Sequence, residues 1–160
     1  MVMRNLTLGI VTSLTLGLFA CVVEEAPLPG SGNKDTVSVV GVDANANGLR
    51  DDVEVTVFAY SDTNTRDAVI QLAKAMQSFI VTGTSKSNAL IHAASMNRAI
   101  DCLYSLNPEN FGDRVDAVEA VVVNTGNRMR AYAKAGAFLS GGAYSVSTVG
   151  NNGASCEETP

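Results

Sequence analysis

Residues 43–54 read DANANGLRDDVE, and no other stretch constrains the local folding of this chain so tightly. Asp43, Asn45 and Asn47 stand at alternate positions, Gly48 at the sixth and Glu54 at the twelfth. Short oxygen-bearing side chains at alternate places in a tight turn point at one centre. That is how a single loop encloses Ca²⁺, a hard cation that takes ~6–8 oxygens at ~2.3–2.6 Å. On this spacing the ligands are the side chains of Asp43, Asn45 and Asn47, the main-chain carbonyl of Leu49, a direct or water-mediated oxygen of Asp51, and both carboxylate oxygens of Glu54. The sixth position must turn with φ > 0, which Gly48 permits at no steric cost. Three carboxylates alone would face the ion, so the expected affinity is weak, with a Kd of roughly 10⁻⁴–10⁻³ M. Such a value suits a structural ion and not a sensor. The competing reading needs no metal: Asn and Asp side chains bond their own backbone in Asx turns and cap the following helix.

The N-terminus carries Arg4, then an apolar run over residues 6–20 broken only by small polar residues, then Cys21. This is the three-part layout of a secretory signal. The run is too short and too diluted by Thr and Ser to span a bilayer, which needs roughly 20 apolar residues. Removing residues 1–20 takes away Arg4 and changes the formal net charge of the chain from −5 to −6. An acidic protein without a Lys/Arg cluster repels phosphate backbones, which argues against nucleic-acid binding.

Residues 22–35 combine Glu24, Glu25, Pro27, Pro29, Gly30 and Gly32, a mixture that cannot bury enough apolar surface to order itself. They are expected to form a flexible tether over 21–35, followed by one helical domain over 36–160. The run TVSVVGV at 36–42 is expected to be extended. Downstream, the apolar spacing predicts helices. Over 66–81, Val69, Leu72, Ala73, Met76, Phe79 and Ile80 recur at three- and four-residue steps. Over 87–106 the stripe is Ala89, Ala93, Met96, Ile100, Leu103 and Tyr104, stopped by Pro108. A third helix is expected over 110–140, with Val115, Val118, Val122, Thr125, Met129 and Ala133 inward and a bend or break at Gly126 or Gly136. Asn124, Arg128 and Arg130 read as a solvated face; an anion site is the sharper alternative. Residues 53–60 alternate like a strand, yet Asp51, Asp52 and Glu54 favour a helix N-terminus, and a helix is expected. Three or four amphipathic helices with short connections make a mainly α, antiparallel bundle.

The residues Leu18, Phe19, Ala20 and Cys21 resemble the lipobox of bacterial lipoproteins. That resemblance implies cleavage before Cys21, acylation of Cys21, and anchoring to a lipid bilayer through several acyl chains. Val22 after the cysteine, in place of Asp, implies the outer membrane by the same resemblance. With Cys21 assigned to lipid, Cys102 and Cys156 remain as an even pair in a compartment that permits disulfides. Cys102 falls off the apolar stripe of its helix, where it can reach a tail lying across the bundle.

The loop at 43–54 resembles those of EF-hands. It departs from the paired kind: Arg50 stands at the eighth position, usually apolar, and neither a second loop nor an amphipathic entering helix is present. It is closer to the lone calcium loops of dockerin and thrombospondin type-3 repeats. The layout as a whole resembles a group of uncharacterised bacterial envelope proteins, through Gly41 to Val53, Leu139 to Gly141 and Cys156. These resemblances imply a membrane-anchored, calcium-binding structural or binding module of the cell envelope, with an unidentified envelope protein as a partner. Two other classes stay open. A small envelope hydrolase would need polar groups converging on His92 or on a carboxylate pair. An accessory subunit of a larger envelope assembly would need an exposed apolar patch of several hundred Å². The fragment VTGTSKS lacks the first glycine of a phosphate loop and reads as a helix–helix turn.

Overall fold

The computed structural model describes residues 38–142 and Cys156. The signal peptide expected at 1–20, the lipidation expected at Cys21 and the tether expected at 21–35 lie outside the described residues. Five helices follow one another: α1 (Asp51–Val57), α2 (Thr63–Thr82), α3 (Lys86–Leu106), α4 (Phe111–Val122) and α5 (Gly126–Ala137). The described residues contain no strand, so the fold is the mainly α bundle that the periodicity predicts. Residues 38–50 run into α1 without a regular element, and 53–57 are helical, as the acidic first turn suggests. No helix among the described residues is long and apolar enough to cross a membrane.

Capping fixes where most helices start. Asp62 accepts the Thr65 N–H at 2.8 Å to open α2, Ser85 accepts that of Asn88 at 3.3 Å to open α3, and Thr125 accepts that of Arg128 at 3.3 Å to open α5. Each satisfies a backbone donor that has no partner inside its helix. The connection between α2 and α3 is the VTGTSKS turn. A Cβ on Gly83 would stand 2.3 Å from the Phe79 carbonyl oxygen and 3.0 Å from Ala135 Cβ, so this turn tolerates no side chain.

Helix α2 is the hub: it packs on every other helix. All six residues of its predicted stripe are buried, and its Val69, Leu72, Ala73, Met76 and Ile80 share one core with Leu49, Val53, Val57, Ala99, Leu103, Val118 and Val122. A smaller cluster gathers Phe79, Ala89 and Ala135, with Phe79 and Tyr132 in edge-to-face contact at 5.6 Å. Helix α1 buries Val53 and Val57 and leaves Val55 exposed, as is Phe58 just past its end.

The run expected over 110–140 is two helices, separated at 123–125 by a break at the expected Gly126, the first residue of α5. The break changes which residues face inward: Val118 and Val122 are buried, but Met129 is 61% exposed and Ala133 lies at the surface. Arg128, placed on a solvated face by the sequence, is instead fully buried, while Arg130 remains outside on Asn127. Cys102, off the apolar stripe of α3 itself, lies within the core, with Cys156 packed against it.

Cys102 and Cys156 form the disulfide, with Cα atoms 4.9 Å apart across a separation of 54 residues. A loop of that size stabilises the fold by about 4 kcal/mol in the chain-entropy picture. Replacing both cysteines by serine should therefore lower the urea midpoint by an amount equivalent to roughly 3–4 kcal/mol. Gly83→Ala should destabilise by roughly 1–3 kcal/mol, because backbone has to move; an unchanged melting curve would contradict the packing described for this turn.

Candidate functional site

The loop at 43–54 is closed by its own side chains. Asp43 accepts the N–H groups of Asn47 at 3.2 Å and Gly48 at 2.9 Å, and Asp51 Oδ1 accepts that of Ala44 at 2.9 Å. Asn45 Oδ1 takes the Asn47 N–H at 3.2 Å, and Asn47 Oδ1 takes the Leu49 N–H at 2.9 Å. Gly48 sits at φ +87° and Ala46 at φ +55°. The left-handed conformation costs a residue with a Cβ roughly 1–2 kcal/mol, and here it turns the chain so that alternate side chains face inward.

Glu54 joins the far end of the loop to its start. Its Oε1 accepts Asn45 Nδ2 at 3.0 Å and also Asn47 Nδ2. Both carboxamide N–H groups thus converge on one carboxylate oxygen. The structure links Asp43, Asn45, Asn47 and Glu54 in one hydrogen-bonded ring, which Asp51 joins only through the Ala44 N–H, with Leu49 alongside, its side chain buried. Among the described residues no three His, Cys, Asp or Glu side chains form a group able to hold a metal by themselves. Any hard cation here would need the carboxamide and main-chain oxygens as well.

The loop is pinned from behind. The Asp51 N–H bonds the Val42 carbonyl at 2.9 Å. Gln77 of α2 donates to the Gly48 carbonyl at 3.1 Å and accepts the Arg50 N–H at 3.1 Å. Arg50 then turns away from the loop centre and is fully buried. Its Nε and Nη2 hold Asp52 at 2.8 and 3.2 Å, while Nη1 and Nη2 donate to the carbonyls of Val122 at 3.2 Å and Val121 at 2.9 Å.

Those two carbonyls explain the broken helix. In an uninterrupted helix they would accept the amides four residues on, at Thr125 and Gly126. Arg50 takes their place, and Asn124 swings over to donate to Asp52 at 2.9 Å. Arg128 completes the cluster: Nη1 reaches Asn124 Oδ1 at 2.7 Å and Asp52 Oδ2 at 3.4 Å, and Nε reaches the Val39 carbonyl at 3.4 Å. Burial raises the pKa of Asp52, but hydrogen bonds from Arg50 and Asn124 and the charges of Arg50 and Arg128 outweigh it, so the carboxyl lies below its ordinary value.

Sequence reasoning missed Gln77, Asp52 and the inward role of Arg128. The signal present was Arg50 at an eighth position where an apolar residue was expected. Beside the cluster, an open groove of about 660 Å³ runs along the α4–α5 elbow, lined by Glu119, Val123, Asn124, Thr125, Met129 and Tyr132 among others. Burial first, and the charge of Glu119 second, push the Tyr132 hydroxyl above its ordinary pKa. On the other side of α2, His92 Nε2 lies 2.7 Å from Thr82 Oγ1, which also donates to the Ser78 carbonyl at 2.8 Å. The adjacent depression of about 190 Å³ is lined by Gln71, Lys74, Ala75, Ser78, His92 and Ser95. That lining offers no carboxylate to orient the imidazole, so a triad is not assembled there among the described residues.

No protein-family model matches the chain, and no curated protein or solved structure matches it either.

Asp52 gives a sharp test. Its folded-state pKa is lowered, so its contribution is complete above the unfolded value of about 3.9 and is lost as pH falls through the folded value. Asp52→Ala should cost about 3–5 kcal/mol at pH 7 by stranding buried guanidinium charge. In Asp52→Asn, the stability lost on acidifying below about pH 4 should shrink. Urea unfolding at a series of pH values checks both; an acid limb identical to that of the parent protein would refute this assignment.

Proposed function

We propose that the loop at 43–54 holds one Ca²⁺ as a structural ion in a non-enzymatic binding or scaffolding module, tethered to the bacterial envelope through an acylated Cys21. The observation that carries the reading is the meeting of Asn45 and Asn47 with Glu54, nine and seven residues further on, in a loop whose first residue, Asp43, accepts two amides. Bound there, the ion would bring a divalent charge between Asp43, Asp51 and Glu54, with Asn45, Asn47 and the Leu49 carbonyl completing the oxygen set. Its task would be to fix the approach of the chain into α1 and onto α2. The export and outer-membrane parts of the proposal are supported by the lipobox-like 18–21 and by the cysteine parity; a bilayer and an unidentified envelope protein are the proposed partners.

The geometry around His92 gives the hydrolase reading no specific support, and it is not carried further. At about 1 mM calcium and a Kd of about 0.1 mM, occupancy would add ~1.4 kcal/mol. The thermal midpoint should accordingly rise by several degrees in millimolar calcium. Asp43→Ala combined with Glu54→Ala should abolish the rise. If the parent protein and the double variant melt identically with and without calcium, the structural-ion role is wrong.

A further inference from the structure

The groove beside the elbow exists because α4 stops at Val122 and α5 starts at Gly126, so the two helices part at 123–125. Its volume of about 660 Å³ falls in the range of roughly 300–1,000 Å³ that small-molecule sites occupy. Val123 at the bend and Met129 and Tyr132 along α5 give it apolar walls. Met129 is 61% exposed, and a ligand lying over its flexible, polarisable thioether would remove that apolar surface from water. Tyr132 is steadied from behind by Phe79, whose ring it meets edge-to-face at 5.6 Å.

Among the residues lining the groove, only Glu119 carries a charge. Its carboxylate is partly buried and makes no hydrogen bond or ion pair with any described residue. It lies near enough to Tyr132 for its charge to act on the hydroxyl there. The neighbouring guanidiniums are directed elsewhere: Arg50 and Arg128 onto Asp52, and Arg130 onto Asn127. A bare inorganic cation is poorly served here, since one carboxylate among apolar walls cannot replace its water shell. An ammonium on an organic body suits the same walls, because the carboxylate meets the charge while ring and thioether cover the rest.

From this arrangement we infer that the α4–α5 groove binds a small organic ammonium ion, its nitrogen on Glu119 and its apolar body against Met129 and Tyr132. The site does not depend on any ion in the loop at 43–54. The acidic balance of the chain, −5 overall, favours the approach of such a cation.

The test uses phenethylammonium as the probe and phenethyl alcohol as its uncharged counterpart, each titrated into the purified protein. The readouts are the methyl signal of Met129 and the ring signals of Tyr132 by NMR. In the parent protein the ammonium should shift both saturably, with a Kd in the millimolar range for so open a site. The alcohol should bind roughly five- to tenfold more weakly. Glu119→Gln should leave the urea midpoint unchanged, because the carboxylate holds no other group, and should erase the preference for the charged probe. Met129→Lys, at an exposed position, sets a competing ammonium in the groove and should weaken the charged probe to a similar extent, read on Tyr132. Equal affinity for both probes in the parent protein refutes charge recognition. A preference that survives Glu119→Gln, or binding undiminished in Met129→Lys, refutes the placement of the ligand. If neither probe moves the Met129 and Tyr132 signals, the groove is not a site for this class of ligand and the inference falls.

Discussion

The arrangement of α4 and α5 depends on how two carbonyls, that of Val122 buried and that of Val121 partly buried, find donors. A chain that breaks a helix inside its core leaves main-chain oxygens facing a region without water, and each orphaned group costs about 1–3 kcal/mol. This chain meets the requirement from far away in sequence, with the guanidinium of Arg50. Burying that guanidinium would itself be costly without a counter-charge, and Asp52, two residues on, supplies it at 2.8 Å. The carboxylate then has capacity for Asn124 and Arg128, whose positions follow. Three helix ends meet at this carboxylate: the start of α1, the end of α4 and the start of α5. The partial positive charge at the start of α1 favours Asp52, and the partial negative charge at the end of α4 favours Arg50. Arg128, in the first turn of α5, is on the wrong side of its own helix dipole, and its contact with Asp52 offsets that.

How much of this could be read from the residues depends on the range of the interactions involved. The α2 stripe was legible because a helix packed on all its neighbours buries one continuous face, and Val69, Leu72, Ala73, Met76, Phe79 and Ile80 show it. The stops at Gly83 and Pro108 are local chemistry and equally visible. Arg128 was misplaced for a different reason. Its burial is bought by Asp52, 76 residues earlier, and by the Val39 carbonyl, 89 residues earlier. No window of periodicity contains such partners. Met129 follows from the same cause, since the break at 123–125 shifts the phase between α4 and α5 and turns a residue expected inside to the outside. Cys102 shows the converse: the pairing with Cys156 was legible by parity, but its burial depended on where the rest of the chain lies.

The candidate loop was legible in its residue types and only partly in its roles. At 43, 45 and 47 the side chains accept main-chain amides within the loop, and Gly48 adopts the left-handed conformation that the spacing demands. The alternation ends at Gly48. From Leu49 onward the chain is turning into a helix, so neighbouring residues divide among three surroundings: Leu49 and Val53 enter the apolar core, Arg50 and Asp52 the buried charge cluster, and Asp51 and Glu54 the loop ring. A sequence pattern scored only for ligands sees the last group and the Leu49 carbonyl, and treats Arg50, Asp52 and Val53 as spacers.

That division bears on why a lone loop can hold its shape. A loop that works beside a twin is steadied by pairing through its eighth residue, and an apolar side chain suffices there. Here the eighth residue is Arg50, whose N–H is held by Gln77 and whose side chain reaches 72 residues onward to the Val122 carbonyl. Gln77 also grips the Gly48 carbonyl, so α2 takes the place of the missing neighbour. The bracing is therefore polar and tertiary, and it exists only once α2, α4 and α5 are packed together. A loop braced in this way is not a detachable unit: its geometry is a property of the whole bundle.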